Sequence, residues 1–152
     1  MIRDDIKAAL TSAMKSGDKP AVGTMRMLSS ALKNRDIELR TASVLPDDDA
    51  LVTEVLQKMI KQRRESAEMY TTGNRPELAA IETAEIATLE AFLPRQLSED
   101  EAKAAIAAII SELGASSMKD MGRVMAEVKQ RHATSIEPAK ASALVKAALA
   151  GQ

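Results

Sequence analysis

Apolar side chains recur along this chain at spacings of three and four, the period of a helix, not the two-residue alternation of a half-buried strand. The first run covers about residues 3–16, with Ile2, Ile6, Ala9, Leu10, Ala13 and Met14 on one face and Gly17 placed to stop it. Asp18 caps a second run over about 20–40, striped by Met25, Leu28, Leu32 and Leu39 and interrupted by Ser29 and Asp36. Pro20 lies in its first turn, where proline is tolerated. Thr41 to Pro46 reads as a linker. Asp47, Asp48 and Asp49 then open a third helix over about 48–72, where adjacent carboxylates complement the helix dipole rather than marking a metal. Its apolar positions are Val52, Val55, Leu56, Met59, Ile60, Ala67 and Tyr70, and Arg63 falls in the middle of that stripe. Gly73 ends it. Asn74 is the expected cap of a fourth helix, about 75–92, striped by Leu78, Ile81, Ile86, Leu89, Phe92 and Leu93.

The pattern stops at Leu93. Pro94 biases its neighbour away from the helical region and begins a short strap. Ser98 starts a new helix over about 99–113, with Glu101 spaced to complete a capping box and Leu97 spaced to staple onto Ala102. Gly114 closes that helix. Ser117, with Asp120 three residues on, is the expected cap of a sixth helix striped by Met118, Met121, Val124, Met125 and Val128. Gly122 sits one turn inside it, a position that serves close approach of another helix or of a phosphate backbone. Arg131 to Ser135 reads as a loop holding an exposed His132. Thr134 or Ser135 is the expected cap of a last helix over about 137–150. The fold class is therefore all-α: an N-terminal bundle of about four helices in residues 1–94 and a three-helix bundle in residues 95–152.

Spacing about Gly73 makes a sharper prediction. If helices three and four form an antiparallel hairpin, Arg63 lies at the level of Glu82 and Glu85, each inside an otherwise apolar face. A partly buried ion pair of Arg63 with Glu82 or Glu85 is expected, structural in role. The alternative, Glu85 as a catalytic acid, lacks a histidine, a second carboxylate or a nucleophile evidently arranged with it. Lys61–Glu65 and Arg64–Glu68 are spaced as i,i+4 pairs.

Composition narrows the chemistry. Apolar residues make up 45 % of the 152, yet there is one Phe, one Tyr and no Trp, so aliphatic residues and nine Met must build the core. That mix suits helices and disfavours a sheet. The absence of cysteine excludes disulfides, thiolate nucleophiles and Cys-ligated zinc, and a single histidine makes a His-based metal site implausible. No cofactor and no metal are expected. The longest apolar run, Ala104 to Ile110, is too short to cross a membrane. The expectation is a soluble cytoplasmic protein, although an organellar protein after removal of a transit peptide would read the same. Residues 1–93 carry 13 Lys/Arg against 15 Asp/Glu, and residues 94–152 carry 8 against 7. Neither half is a polycation, so nucleic-acid binding would need a local patch. The sixth helix offers one in Lys119, Arg123, Lys129 and Arg131, diluted by Asp120 and Glu127, and the third helix offers Lys58, Lys61 and Arg64.

Four segments resemble the GatB/YqeY family: Arg26 to Asn34, Lys61 to Ser66, Ala84 to Ser98 with its Leu93-Pro94-Arg95-Gln96-Leu97 joint, and Gly114 to Met125 with its Lys119-Asp120-Met121-Gly122 core. The likeness spans nearly the whole chain and is to a stand-alone YqeY-like protein. A departure is Glu137-Pro138, where many relatives have an acidic residue followed by glycine. The resemblance implies two helical domains and kinship with the tail of the B subunit of glutamine-dependent tRNA amidotransferases, a tail that contacts tRNA. It carries a family label of carbon–nitrogen ligase with glutamine as amide donor, but the chain shows no P-loop and no amidase nucleophile segment. Three functions follow. The first is an accessory module that binds tRNA or another structured RNA; with almost no aromatics it would read shape and backbone rather than bases. The second is a module docking an amidotransferase or synthetase partner. The third is a self-sufficient enzyme.

Overall fold

Three residues with positive φ, Gly17 (74°), Asn74 (58°) and Gly114 (61°), turn the chain at the ends of three helices. The computed structural model describes residues 1–151, and among these it contains seven α-helices and no strand. They are α1 (Ile2–Ser16), α2 (Lys19–Glu38), α3 (Asp48–Thr72), α4 (Pro76–Glu90), α5 (Glu99–Leu113), α6 (Met121–His132) and α7 (Pro138–Ala150). Short 3-10 turns, Leu39–Thr41 and Met118–Asp120, extend α2 and precede α6. The chain divides into two compact units, Met1–Leu93 and Pro94–Gln152.

Local chemistry sets most of the ends. Past α1, Gly17 and Asp18 donate to the carbonyls of Met14 and Ala13, and past α5, Gly114 and Ala115 donate to Ser111 and Ile110. Both are Schellman turns with glycine at the left-handed position. After α3 the same turn is made by Asn74 and Arg75, which donate to Thr71 and Tyr70. Asn74 is thus the stop of α3 and not the expected cap of α4. Pro76 explains the shift: it begins α4 and holds Arg75 outside the helical region at φ −119° and ψ 67°. Pro138 acts alike at α7, making Glu137 the N-cap in place of Thr134 or Ser135. Asp18, Asp47 and Ser98 cap α2, α3 and α5, accepting from Ala21, Ala50 and Glu101. The return half of the expected capping box at α5 is not made, because the Glu101 carboxylate takes two bonds from Arg95, at 2.8 and 2.9 Å.

In the first unit Leu28, Val52, Leu56 and Leu89 lose all contact with water and pack with Ile6, Leu32, Met59 and Ile60. The early part of α3 is buried on more than the expected stripe, since Leu51, Thr53 and Gln57 are also buried. Toward the Asn74 turn Ile81, expected inside, is 55 % exposed. The i,i+4 pairs expected along α3 do not form. Arg64 reaches across to Glu90 at 2.9 Å, and Lys61 has no ion pair among the described residues.

The second unit closes around Ala102, Ile106, Ile109, Val124, Val128, Ala141, Val145 and Leu149. The residues expected to form a loop after α6 are partly helical, as α6 runs through His132. Arg131 is held there by Glu127, one turn back, and by Glu112 of α5, at 2.6 and 2.7 Å. Ile136, absent from the sequence pattern, is buried in the connection to α7. The strap before α5 is fastened to this connection: the Gln96 side-chain amide donates to the Thr134 carbonyl and the Leu97 amide to that of Ser135.

Candidate interaction surfaces

Arg63 Nε donates to Glu85 Oε2 at 2.8 Å, while its Nη1 donates to the Met59 carbonyl. Both side chains are largely shielded, Arg63 13 % and Glu85 24 % exposed. Glu82 is half-buried one turn short of this level and makes no ion pair among the described residues. Glu85 is thereby committed to a guanidinium that fills a break in the apolar face. Among the described residues no three His, Asp or Glu side chains are grouped so as to hold a metal.

The structure separates the four cations of the α6 region into two kinds. Arg123 Nε donates to Asp120 at 2.9 Å and its Nη1 to the Leu113 carbonyl at the end of α5. Asp120 also accepts the Ser116 amide at 2.8 Å and the Ser117 amide at 3.2 Å. The Ser116 amide, then Arg123 and the Ser117 amide, hold the Asp120 carboxyl below the usual carboxylate range. Arg131 is clamped by Glu112 and Glu127, in that order of effect, which push its guanidinium pKa up. These two arginines build the unit. Lys119 and Lys129 are exposed and have no ion pair among the described residues.

Between those lysines the outer face is almost bare. Gly122 and Ala126 are exposed, and a Cβ added at Gly122 would meet open space. No helix of its own unit packs against Gly122. In the first unit Lys58 and Lys61 are likewise exposed and unpaired among the described residues, whereas Arg64 is engaged with Glu90. Lys58 lines a cleft of about 400 Å3 between α2 and α3, together with Asn34 of α2 and Gln62 of α3. Neither amide entered the sequence-derived candidates. The available signal was that both lie in segments resembling the family, Arg26 to Asn34 and Lys61 to Ser66. His132, half-buried and not exposed as expected, stands with its Nδ1 3.4 Å from Ser135 Oγ.

These features define an all-α protein whose arginines mostly secure its own helices and whose free cations are mostly exposed lysines. The family is settled by its sequence: the profile of the YqeY-like proteins matches residues 3–149, and the chain belongs to that family. It is similar to a Pyrenophora tritici-repentis protein called altered inheritance of mitochondria protein 41, mitochondrial. The two are 30 % identical over 131 residues, 83 % of this chain and 70 % of the relative. An uncharacterized protein of Schizosaccharomyces pombe is 34 % identical over 94 residues, 61 % of this chain and 72 % of the relative. A Lachancea thermotolerans protein with the same name as the first is 29 % identical over 111 residues, 72 % of this chain and 58 % of the relative. No helix among the described residues is long and apolar enough to cross a membrane.

Proposed function

We propose that this protein is an accessory module of glutamine-dependent tRNA amidation, binding tRNA or another structured RNA through the outer face of α6. The carbon–nitrogen ligase chemistry, with glutamine as amide donor, belongs in this reading to the larger assembly that the module serves. The observation that supports it is the exposed sequence of Lys119, Gly122, Ala126 and Lys129 along one face. Two free ammonium groups there flank side chains too small to hold off an approaching backbone. Residues 94–152 contain no Phe, Tyr or Trp, so the surface suits phosphates and helix shape and offers none of these rings for stacking bases.

The test is anisotropy titration of labelled tRNA across a salt series. The intact chain is expected to bind with steep salt dependence, and Lys119→Ala with Lys129→Ala to bind more weakly, the logarithmic salt slope falling by about one per lysine. Gly122→Leu is expected to weaken binding with the fold intact, because an added Cβ at this position meets open space within its own unit. Equal binding by all three proteins, or none at low salt, overturns the reading.

A further inference from the structure

Most arginines of the first unit are engaged by carboxylates, but one face of α2 is different. Lys19, Arg26 and Lys33 are exposed, make no ion pair among the described residues and follow one another at a step of seven. On an α-helix that step advances about 10.5 Å and drifts only about 20° around the axis. The three cations therefore form one row about 21 Å long. Fully buried Leu28 sits about 200° around the helix from Arg26, so the row stands opposite the core. Exposed Arg40, in the 3-10 turn that extends α2, comes after a further seven residues and has no ion pair among the described residues either.

The acids nearest in sequence are already taken. Asp18 caps α2 through the Ala21 amide, Asp36 holds Arg3 at 3.0 Å and Glu38 holds Arg35 at 3.1 Å. Arg26 Nη2 lies 3.8 Å from Met14 Sδ of α1, a neutral contact that positions the guanidinium and leaves its charge. Between the cations the row is low. Gly23 and Ser30 are exposed, and a Cβ added at Gly23 would meet open space. The Ser30 hydroxyl makes no hydrogen bond among the described residues.

We propose that this row is a second nucleic-acid surface, which holds the phosphates of a double-helical RNA across its minor groove. Its charge is of one sign and repeats along a line, as the charge of a phosphodiester chain does. The minor groove of an A-form helix is wide and shallow and displays 2′-hydroxyls between its phosphate walls. Gly23 lets α2 come close to that surface, and Ser30 Oγ is free to pair with a 2′-hydroxyl. A protein partner needs an apolar centre that excludes water, and nothing between Lys19 and Lys33 on this row supplies one. A lipid surface needs clustered cations or an inserting side chain, and the row has neither. The row lies in the first unit and is argued without α6, so the two surfaces stand or fall separately.

The probe is a labelled RNA duplex of about 20 base pairs, titrated by anisotropy across a salt series. The intact chain is expected to bind it, and more tightly than the DNA duplex of the same sequence. Lys19→Ala, Arg26→Ala and Lys33→Ala together are expected to weaken binding at least about tenfold near 0.1 M salt and to lower the logarithmic salt slope by about three. Gly23→Glu, which sets a carboxylate in the row, weakens binding as well. A control with the same net charge as the triple variant, Lys103→Ala with Lys140→Ala and Lys146→Ala, all exposed, binds like the parent. Circular dichroism checks that each variant keeps the helicity and melt of the parent. The Lys119→Ala, Lys129→Ala protein reads α6 alone: parental binding by it, with loss in the α2 variant, supports the row and removes α6, and the converse result overturns the row. Equal affinity of the α2 and control variants, an unchanged salt slope or equal binding to DNA overturns the proposal. So does loss of affinity for phosphatidylserine vesicles with RNA affinity kept, which would assign the row to a membrane.

Discussion

A charged side chain on a helix either faces water or finds a partner delivered by another helix, and Arg63 shows what decides between them. It interrupts an apolar stripe, so its guanidinium would be stranded without a carboxylate at its level, and Glu85 supplies one at 2.8 Å. Removing one member of such a shielded pair is the costly change, whereas replacing both with apolar groups is nearly neutral. Glu85→Ala is therefore expected to lower stability by about 1–3 kcal/mol in chemical denaturation, and Arg63→Met with Glu85→Leu to recover most of it. Glu82→Ala should stay within about 0.5 kcal/mol. Asn74 makes a second residue-scale case. At φ 58° it occupies a conformation that β-branched residues resist. Asn74→Val is expected to cost about 1–2 kcal/mol while Asn74→Gly holds or gains stability, measured the same way.

At the scale of elements, the three aspartates that open α3 divide the labour. Asp47 caps the helix, Asp48 takes the Arg3 guanidinium at 2.8 Å, and Asp49 accepts the backbone amide of Ile2. Arg3 also binds Asp36 near the end of α2 at 3.0 Å, so one side chain of α1 is fastened to both neighbouring helices. The Arg3 hydrogen bond, more than its charge or that of Lys7, holds the Asp48 carboxyl below its ordinary range against the opposing effect of burial. A depressed carboxylate stabilises the fold at pH values above its unfolded pKa, and that contribution is lost as pH falls through the folded value. Asp48→Asn is thus expected to be less stable than the parent at neutral pH. The gap should close below about pH 4, followed by denaturation midpoints across a pH series. A sequence reading sees three carboxylates at a helix start and assigns all three to the dipole. The partners of Asp48 and Asp49 come from α1, more than forty residues away, and no local pattern encodes them.

At the scale of the molecule, each unit closes its own core. The cluster of the first is drawn from Ile2 to Leu93, and that of the second from Leu97 to Leu149. The fragment 94–152, produced alone, is expected to give a helical circular dichroism spectrum and a cooperative melt; a featureless melt would show that its core needs the rest of the chain. The candidate surfaces were legible in unequal measure. Lys119, Lys129, Lys58 and Lys61 were named from sequence and stand exposed. Arg123, Arg131 and Arg64 were named with them, and ion pairs occupy all three. Asn34 and Gln62 went unnamed, since nothing about an exposed amide on one helix announces that another helix brings a second amide to the same cleft.

The seven helices, their stops at Gly17 and Gly114 and their caps at Asp18 and Ser98 were determined by sequence alone, because periodicity and capping act over a few residues. Only the tertiary structure decided which cations are free, which carboxylates are neutralised and which face of Gly122 lies open. Those outcomes depend on what another helix places within about 3 Å, a distance in space that chain order does not state.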